Sequence, residues 1–304
     1  MKTILIGGGT GLVGERLSEM LEAKGYQVLH LSRSRNLDAR FPAYKWDLKN
    51  GEVDPEAIAK ADAVINLAGA GIADKPWTPS RKKLIIDSRV DSTLMLKTAF
   101  ELAGKKPEAF ISAAAIGYYG NRGDQNLTEE SDPGNDGFLS ESCVLWEEAI
   151  KKVEASGIRT VWFRIGIVLS TKGGALEKIM LPVKFHIGGY FGNGKQWYSW
   201  IHLDDLCRMF IHALENQEMN GVYNAVSPNP ERNKPFTEAI GDAIGKKSLM
   251  IPGPEFALRL VLGEMADTIF NSNKVDSSKI EKAGFKFEHP KLVDAVKHLV
   301  DNKL

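Results

Sequence analysis

The feature that most constrains this chain is a short apolar run, residues 4–6, that ends abruptly in a group of glycines. Gly8, Gly11 and Gly14 follow the spacing G-x-x-G-x-x-G, a helical pattern comes next, and a second apolar run covers residues 27–31. In such a unit the first glycine permits a tight turn, the second lets a diphosphate approach backbone N–H groups, and the third packs the helix on the strand. The sequence therefore predicts a dinucleotide site. The alternative is a glycine-rich turn in a doubly wound protein that binds no dinucleotide.

The end of the second strand indicates which dinucleotide is bound. NAD-selective sites usually place Asp or Glu there to hold the ribose 2′-hydroxyl, but this chain has Ser32 and Arg33 and no acid. A hydroxyl and a planar guanidinium suit a 2′-phosphate, so the sequence predicts NADP(H). Alternatively, Arg33 and Arg35 are solvated residues of a surface loop.

The rest of the chain continues the alternation of strands and helices, which predicts an α/β fold: a Rossmann doubly wound parallel sheet with a small, mostly helical C-terminal substrate or accessory domain. Further strands are predicted at 44–46, 63–69, 109–113, 158–163 and 221–225. Longer helices are predicted at 80–103, 138–155 and 201–214, and late ones at 236–244, 256–270 and 291–299. We assign residues 1–230 to the NADP(H)-binding domain, with aromatic-rich substrate loops inserted at 165–200, and residues 231–304 to the C-terminal domain.

Charge and cysteine content limit the function classes. Lys plus Arg and Asp plus Glu both total 39, so no basic excess drives nucleic-acid or membrane binding, and a small-molecule substrate is expected. Cys143 and Cys207 form neither a disulfide framework nor a metal-binding spacing, so no metal site is predicted. A strand that begins near Lys2 leaves no room for a signal peptide, and charges interrupt the long apolar stretches, so we expect a cytoplasmic protein. A homodimer is left open.

Several motifs spread over the whole chain resemble a known family. Four of them are similar to the extended, atypical short-chain dehydrogenase/reductase superfamily: the opening glycines, 66–69 (NLAG), 89–93 (RVDST) and 202–205 (HLDD). Others resemble, more narrowly, the epimerase-like family of NAD(P)-dependent sugar-nucleotide epimerases with a C-terminal domain of unknown function: 112–120, 173–175, 192–197, 200–202 and 256–265.

The resemblance implies an NADP(H)-dependent oxidoreductase or epimerase that acts on a sugar-nucleotide-like or other small carbonyl substrate. It also implies a set of cofactor-binding residues: Gly8, Gly11, Leu12, Val13, Gly14, Ser32, Arg33, Asp47, Leu67, Ala68, Gly69, Arg89 and Ile167. Arg89 stands where the superfamily usually keeps an Asn, and its side chain is long enough to reach a diphosphate or ribose. The alternative for Arg89 is a surface ion pair with Asp87 or Asp91.

The resemblance also shows what is missing. The superfamily's acid/base chemistry normally uses a Tyr-x-x-x-Lys pair, in which the Lys lowers the pKa of the Tyr, and a serine after the fifth strand. Leu139 and Cys143 occupy the Tyr and Lys positions here, and Ala114 or Ala115 occupies that of the serine.

Few residues can replace the missing groups. The catalytic candidates are Ser112, Tyr118, Tyr119 and Cys143. His202, which lies beyond the glycine-containing segment 192–194, is a further residue that could take part. Each has a structural alternative: Tyr119 closes a loop, Cys143 is a small buried apolar group, and His202 packs at a helix start. A catalytically degenerate NADP(H)-binding protein that acts as a sensor or scaffold for a partner is therefore the alternative function.

Overall fold

The computed structural model describes residues 1–135 and 137–304, and these residues form sixteen strands and eleven α-helices. The strands are β1 (Thr3–Gly7), β2 (Gln27–Ser32), β3 (Ala43–Asp47), β4 (Glu52–Val53), β5 (Ala63–Asn66), β6 (Phe110–Ala115), β7 (Asn126–Leu127), β8 (Thr160–Ile165), β9 (Ile167–Leu169), β10 (Ile187–Phe191), β11 (Trp197–Tyr198), β12 (Trp200–His202), β13 (Gly221–Ala225), β14 (Glu231–Arg232), β15 (Leu249–Gly253) and β16 (Lys274–Val275). The helices are α1 (Leu12–Ala23), α2 (Pro55–Lys60), α3 (Pro79–Leu102), α4 (Phe138–Glu154), α5 (Gly174–Val183), α6 (Leu203–Glu215), α7 (Asn233–Ala243), α8 (Glu255–Leu262), α9 (Asp267–Phe270), α10 (Ser278–Lys282) and α11 (Leu292–Asn302).

Eight of the described strands form one sheet in the order β13-β8-β6-β5-β1-β2-β3-β4. All neighbouring pairs are parallel except β3 with β4. The strand order reverses between β1 and β5, and open sheets of this kind bind ligands beside the carboxyl ends of the strands at such a reversal. The predicted Rossmann-type fold is confirmed.

Both faces of the sheet are buried, and the side chains of each strand point alternately to one face and to the other. Ile4 and Ile6 of β1 belong to one core cluster, which also contains Leu17 of α1. Leu5 belongs to the other cluster, together with Phe100 of α3. Helix α1 packs beside α6 on the first face, and α3 packs beside α4.

The C-terminal region is mostly helical, as predicted, and shares its core with the sheet. Helices α7 and α11 pack against each other. Phe236 of α7 and Val296 of α11 are fully buried in the same cluster as Ile6 and Phe210. The region is therefore held close to the carboxyl edge of the sheet.

Some predicted elements were wrong in their bounds. The helix predicted at 201–214 begins at Leu203, because residues 200–202 pair with β9 as a strand. The helix predicted at 256–270 is interrupted at Gly263, whose φ of 57° does not continue a right-handed helix. The loop-rich segment after 165 contains α5 and also β10, which pairs with the distant β15. No helix among the described residues has the length and apolar character needed to cross a membrane.

Candidate functional site

The loop between β1 and α1 is tightly packed at its glycines. Gly8 has a φ of +79°, and a Cβ there would lie 2.8 Å from the carbonyl carbon of Leu67. A Cβ on Gly14 would overlap the carbonyl oxygen of Gly8. The Gly11 N–H donates to that same oxygen at 3.1 Å, and no side chain caps the first turn of α1. The uncapped N–H groups and the helix dipole make this turn suitable for a diphosphate.

His30 supports this loop from β2, and sequence reasoning missed it. Its Nε2 is 2.8 Å from the Ser18 hydroxyl of α1, and its ring fills the space that a Cβ on Gly9 would need. Burial lowers the pKa of His30 to about 4, so the imidazole is neutral at neutral pH. The only signal in the sequence was a polar residue inside an apolar strand.

The two arginines that follow β2 differ in the contacts that they make. Arg33 is exposed and makes no hydrogen bond or ion pair with any described residue. Arg35, in contrast, contacts Glu56 at 2.6 Å and Asp54 at 3.6 Å. Ser32 lines a surface cleft beside the glycine loop. The Arg33 guanidinium is therefore free to bind a ligand, whereas that of Arg35 is held on the protein surface.

Asp47 lies at the end of β3, on the same edge of the sheet. Its carboxylate accepts hydrogen bonds from the Lys49 N–H at 3.0 Å and from the Asn50 side-chain amide at 2.8 Å. These hydrogen bonds, with those to the Asn50 backbone foremost, lower the pKa of Asp47. The side chain stabilises the turn into β4, and its contact with a cofactor stays a prediction.

Asn66 fixes the backbone that follows β5. Its amide nitrogen donates to Ser92 at 3.3 Å and to Thr93 at 3.2 Å, and its carbonyl oxygen accepts from the Ala68 N–H at 3.2 Å. Two motifs that are distant in the sequence, 66–69 and 89–93, are thus one hydrogen-bonded unit. The unit holds residues 67–69 against the glycine loop.

Arg89 reaches from α3 towards this same backbone. A Cβ on Gly69 would lie 3.0 Å from the guanidinium carbon of Arg89, which is also 5.0 Å from the centre of the Trp146 ring. The surface ion pair is absent, because Arg89 forms no salt bridge within the described chain and Asp87 is instead 2.6 Å from Lys83. Burial lowers the pKa of the Arg89 guanidinium.

A cavity of about 220 Å³ opens next to Arg89, at the carboxyl ends of β6 and β8. Leu139, Cys143 and Trp146 of α4 line it together with Ala115 and Ile167. The residues at the missing Tyr and Lys positions therefore face the cavity, and Ala115 offers no hydroxyl. Burial raises the pKa of the Cys143 thiol to about 12, so this group is protonated at neutral pH and is not a base.

The opposite wall of the cavity comes from later parts of the chain. Trp197 and Tyr198 of the predicted substrate loops line it. So do Thr268, Asn271 and Asn273 of the C-terminal region, which the sequence did not single out. These residues are far from α4 in the sequence, and only the tertiary fold brings them to this site.

Three of the four predicted catalytic residues lie away from the cavity walls. Ser112 is fully buried in β6, and its hydroxyl donates to the carbonyl of the next residue at 2.9 Å. The Tyr119 hydroxyl donates to Asn224 at 2.6 Å and accepts from Arg164 at 3.0 Å, and burial raises its pKa to about 12. The Tyr118 ring covers the Arg164 guanidinium at 3.5 Å. Their contacts are those of structural residues, and Cys143 alone of the four lines the cavity.

Arg164 is held by Glu147, which lies one helical turn after Cys143. The guanidinium donates to both carboxylate oxygens, at 2.7 and 2.9 Å. Only 3% and 1% of the two side chains are exposed. This buried ion pair anchors α4 to β8 and thereby positions the α4 face that lines the cavity.

His202 belongs to a cluster with His289 and His298. Its Nδ1 accepts the Asp204 N–H at 2.9 Å and caps α6, and its Nε2 is 3.1 Å from Nδ1 of His298. The His289 ring stacks on His202 with 4.0 Å between the centres. The three rings offer nitrogen atoms within 4.8 Å of one another. However, neutral His202 carries its proton on Nε2 when Nδ1 accepts, and stacked rings do not direct lone pairs to one point, so the geometry fits packing of the C-terminal helix better than metal ligation.

The parallel sheet, with the glycine loop after β1 at the point where the strand order reverses, defines a Rossmann protein of the NAD(P)-binding class. The profile of the NAD dependent epimerase/dehydratase family matches residues 4–225, and a domain of unknown function, DUF1731, matches residues 254–299. The chain belongs to the NAD dependent epimerase/dehydratase family, which confirms the resemblance drawn from the motifs.

Relatives match along almost the whole chain. The epimerase family protein SH2119 of Staphylococcus haemolyticus is 36% identical over 303 residues, which cover 99% of this chain and 100% of that protein. The epimerase family protein YfhF of Bacillus subtilis is 35% identical over 301 residues, which cover 99% and 98%. Among solved structures, the human epimerase family protein SDR39U1 (isoform 2) with NADPH has a TM-score of 0.89 at 31% identity. The match covers 99% of this chain and 99% of that protein.

Proposed function

We propose that this protein is an NADP(H)-dependent oxidoreductase that acts on a small carbonyl substrate. The observation that carries the proposal is that the glycine loop after β1, Arg33 after β2 and the mainly apolar cavity at the ends of β6 and β8 all lie at the carboxyl edge of one sheet. The cofactor would be held by the residues named from the sequence: Gly8, Gly11, Leu12, Val13, Gly14, Ser32, Arg33, Asp47, Leu67, Ala68, Gly69, Arg89 and Ile167.

The choice of NADP(H) rests on two supports. Arg33 follows β2, where the 2′-phosphate of NADP(H) would lie, and its guanidinium has no partner among the described residues. The human relative was solved with NADPH and is 31% identical over nearly its full length.

A small substrate is favoured over a sugar nucleotide by the size and lining of the cavity. Its volume of about 220 Å³ is below the range of about 300–1,000 Å³ usual for pockets that enclose drug-sized ligands. When bound, the cofactor supplies a hydride. Trp146, Ile167 and Trp197 exclude water from the reacting carbon, and Arg89 places a positive charge at the cavity edge.

The proton needs a different source from that of the superfamily. Cys143 holds its proton too tightly to exchange it near neutral pH, since its pKa is raised to about 12. The Tyr198 hydroxyl donates to the Ile269 carbonyl at 2.8 Å and is not free. We therefore propose that water donates the proton to the carbonyl oxygen. Turnover should then be slow, because a positioned acid or base contributes about 10²–10⁴-fold in rate.

A second candidate is a cofactor-binding protein without turnover that signals its occupancy to a partner. Leu139 and Cys143 in place of the acid/base pair favour it. So does α8, in which Phe256, Leu260 and Val261 are 78%, 86% and 79% exposed.

The test is a search for NADPH consumption against a panel of small aldehydes, ketones and oxo acids, with NADPH binding measured in parallel. The oxidoreductase would be supported if at least one compound causes NADPH consumption and if the rate of consumption is lower in the variant Ala115→Trp, whose larger side chain fills the cavity. NADPH binding without consumption over the whole panel would support the sensor instead.

A further inference from the structure

Arg89 is partly buried and has no anionic partner within the described chain, whereas three other partly or fully buried arginines do. Arg16, Arg164 and Arg208 each lie 2.7 Å from a carboxylate oxygen. The one hydrogen bond of the Arg89 guanidinium in the described chain is from Nη1 to the Ile85 carbonyl, at 2.9 Å. A partly buried cation without a counter-charge is unfavourable, so this site is suited to an anionic ligand.

The position of Arg89 allows it to contact two ligands. Its guanidinium carbon lies close to Gly69, where the proposed function places the cofactor, and 5.0 Å from the centre of the Trp146 ring at the cavity wall. A guanidinium fork carries several N–H donors, and the carbonyl of Ile85 uses one. A contact with the cofactor therefore leaves further donors on a side chain that lines the cavity.

The cavity itself provides no anion for Arg89 within the described chain. The hydroxyls of Ser142, Thr268 and Tyr198 all donate to backbone carbonyls, at 2.9, 2.6 and 2.8 Å. Asp267 also lines the cavity, but its carboxylate is bound to Arg259 at 2.9 Å. The remaining wall is mainly aliphatic and aromatic.

We propose that Arg89 binds a carboxylate of the substrate, so that the substrates are small, largely apolar carboxylic acids that carry the reacting carbonyl or hydroxyl group. This proposal rests on the proposed function and specifies its substrate class. A carboxylate forms two parallel hydrogen bonds with a guanidinium, and the hydrocarbon part of such an acid fits the apolar walls. In the reductive direction the carbonyl carbon gains a hydride from NADPH, which becomes NADP⁺, and the carbonyl oxygen gains a proton from water. The carboxylate is unchanged.

The experiment uses benzoate and benzamide as probes, because they share shape and differ in charge. Each is titrated calorimetrically into the full-length protein saturated with NADP⁺. We expect benzoate to bind at least about tenfold more tightly than benzamide, which corresponds to the loss of one charged hydrogen bond. Arg89→Met should abolish this preference, and Arg89→Lys should restore part of it. Lys83→Met, which removes an exposed charge from the same helix, is the matched control and should keep it.

Titrations of NADPH alone separate the two proposals. If NADPH binds but benzoate has no advantage over benzamide, whether both bind or neither does, the substrate class is wrong and the cofactor assignment stands. A benzoate preference that survives Arg89→Met would also overturn the role of Arg89. If NADPH fails to bind to the unmodified protein, the proposed function itself is wrong.

Discussion

Replacing Arg33 by Ala should remove most of the preference for NADPH over NADH. In the structure the Arg33 side chain is exposed and has no partner in the described chain, so its loss breaks no internal contact. A hydrogen bond to a charged group contributes about 1.5–3 kcal/mol, which corresponds to about 10–100-fold in affinity. Because an exposed charge is screened over about 8 Å at physiological salt, the lower half of that range is expected.

The assay is calorimetric titration of both cofactors at fixed ionic strength. Arg35→Ala is the matched control, because Arg35 is held by Glu56 and Asp54 and should not contribute to the preference. Affinity for NADH should not change in either variant. Equal affinities for the two cofactors in the unmodified protein, or an unchanged ratio in Arg33→Ala, would refute the assignment.

Three other predictions follow from the site. Glu147→Gln leaves the buried Arg164 charge without an anionic partner, so the free energy of unfolding should fall by about 3–5 kcal/mol in urea titrations; a loss below about 1 kcal/mol would mean that the pair is not an anchor. His202 stays neutral in the folded protein, since burial lowers its pKa to about 3, whereas the unfolded chain takes up a proton below about pH 6.5. Stability should therefore decrease as pH falls below about 6.5, and less steeply in His202→Asn; identical pH profiles would contradict this. The double variant Leu139→Tyr with Cys143→Lys should not become an efficient reductase, because Ala114 and Ala115 provide no hydroxyl at the position of the superfamily's serine; NADPH-dependent reduction of a simple ketone at ordinary reductase rates would show that the pocket has lost only its acid.

The sequence predicted the parts of the site that have a local signature. The glycine spacing predicted the turn after β1, and the four-residue spacing of Leu139 and Cys143 placed both on one face of α4, where they line the cavity. The structural alternative for Tyr119 also fits the contacts that its hydroxyl makes with Asn224 and Arg164.

Other parts of the site depend on contacts between distant residues and leave no local pattern. Thr268 and Asn271 reach the cavity only because the C-terminal region shares a core with the sheet. The link from Asn66 to Ser92 spans 26 residues. The missing partner of Arg89 could not be foreseen either, because Asp87 and Asp91 were available in the sequence and only the fold shows that neither forms a salt bridge with it.

The central claim is that the nicotinamide ring of the bound cofactor lies in the cavity beside Arg89. A crystal structure of the protein with NADP⁺ tests it most directly. We expect the 2′-phosphate against Arg33, the diphosphate over the glycine loop, and the nicotinamide between Ala115 and Ile167. Nicotinamide density outside this cavity, or a 2′-phosphate without contact to Arg33, would contradict the account.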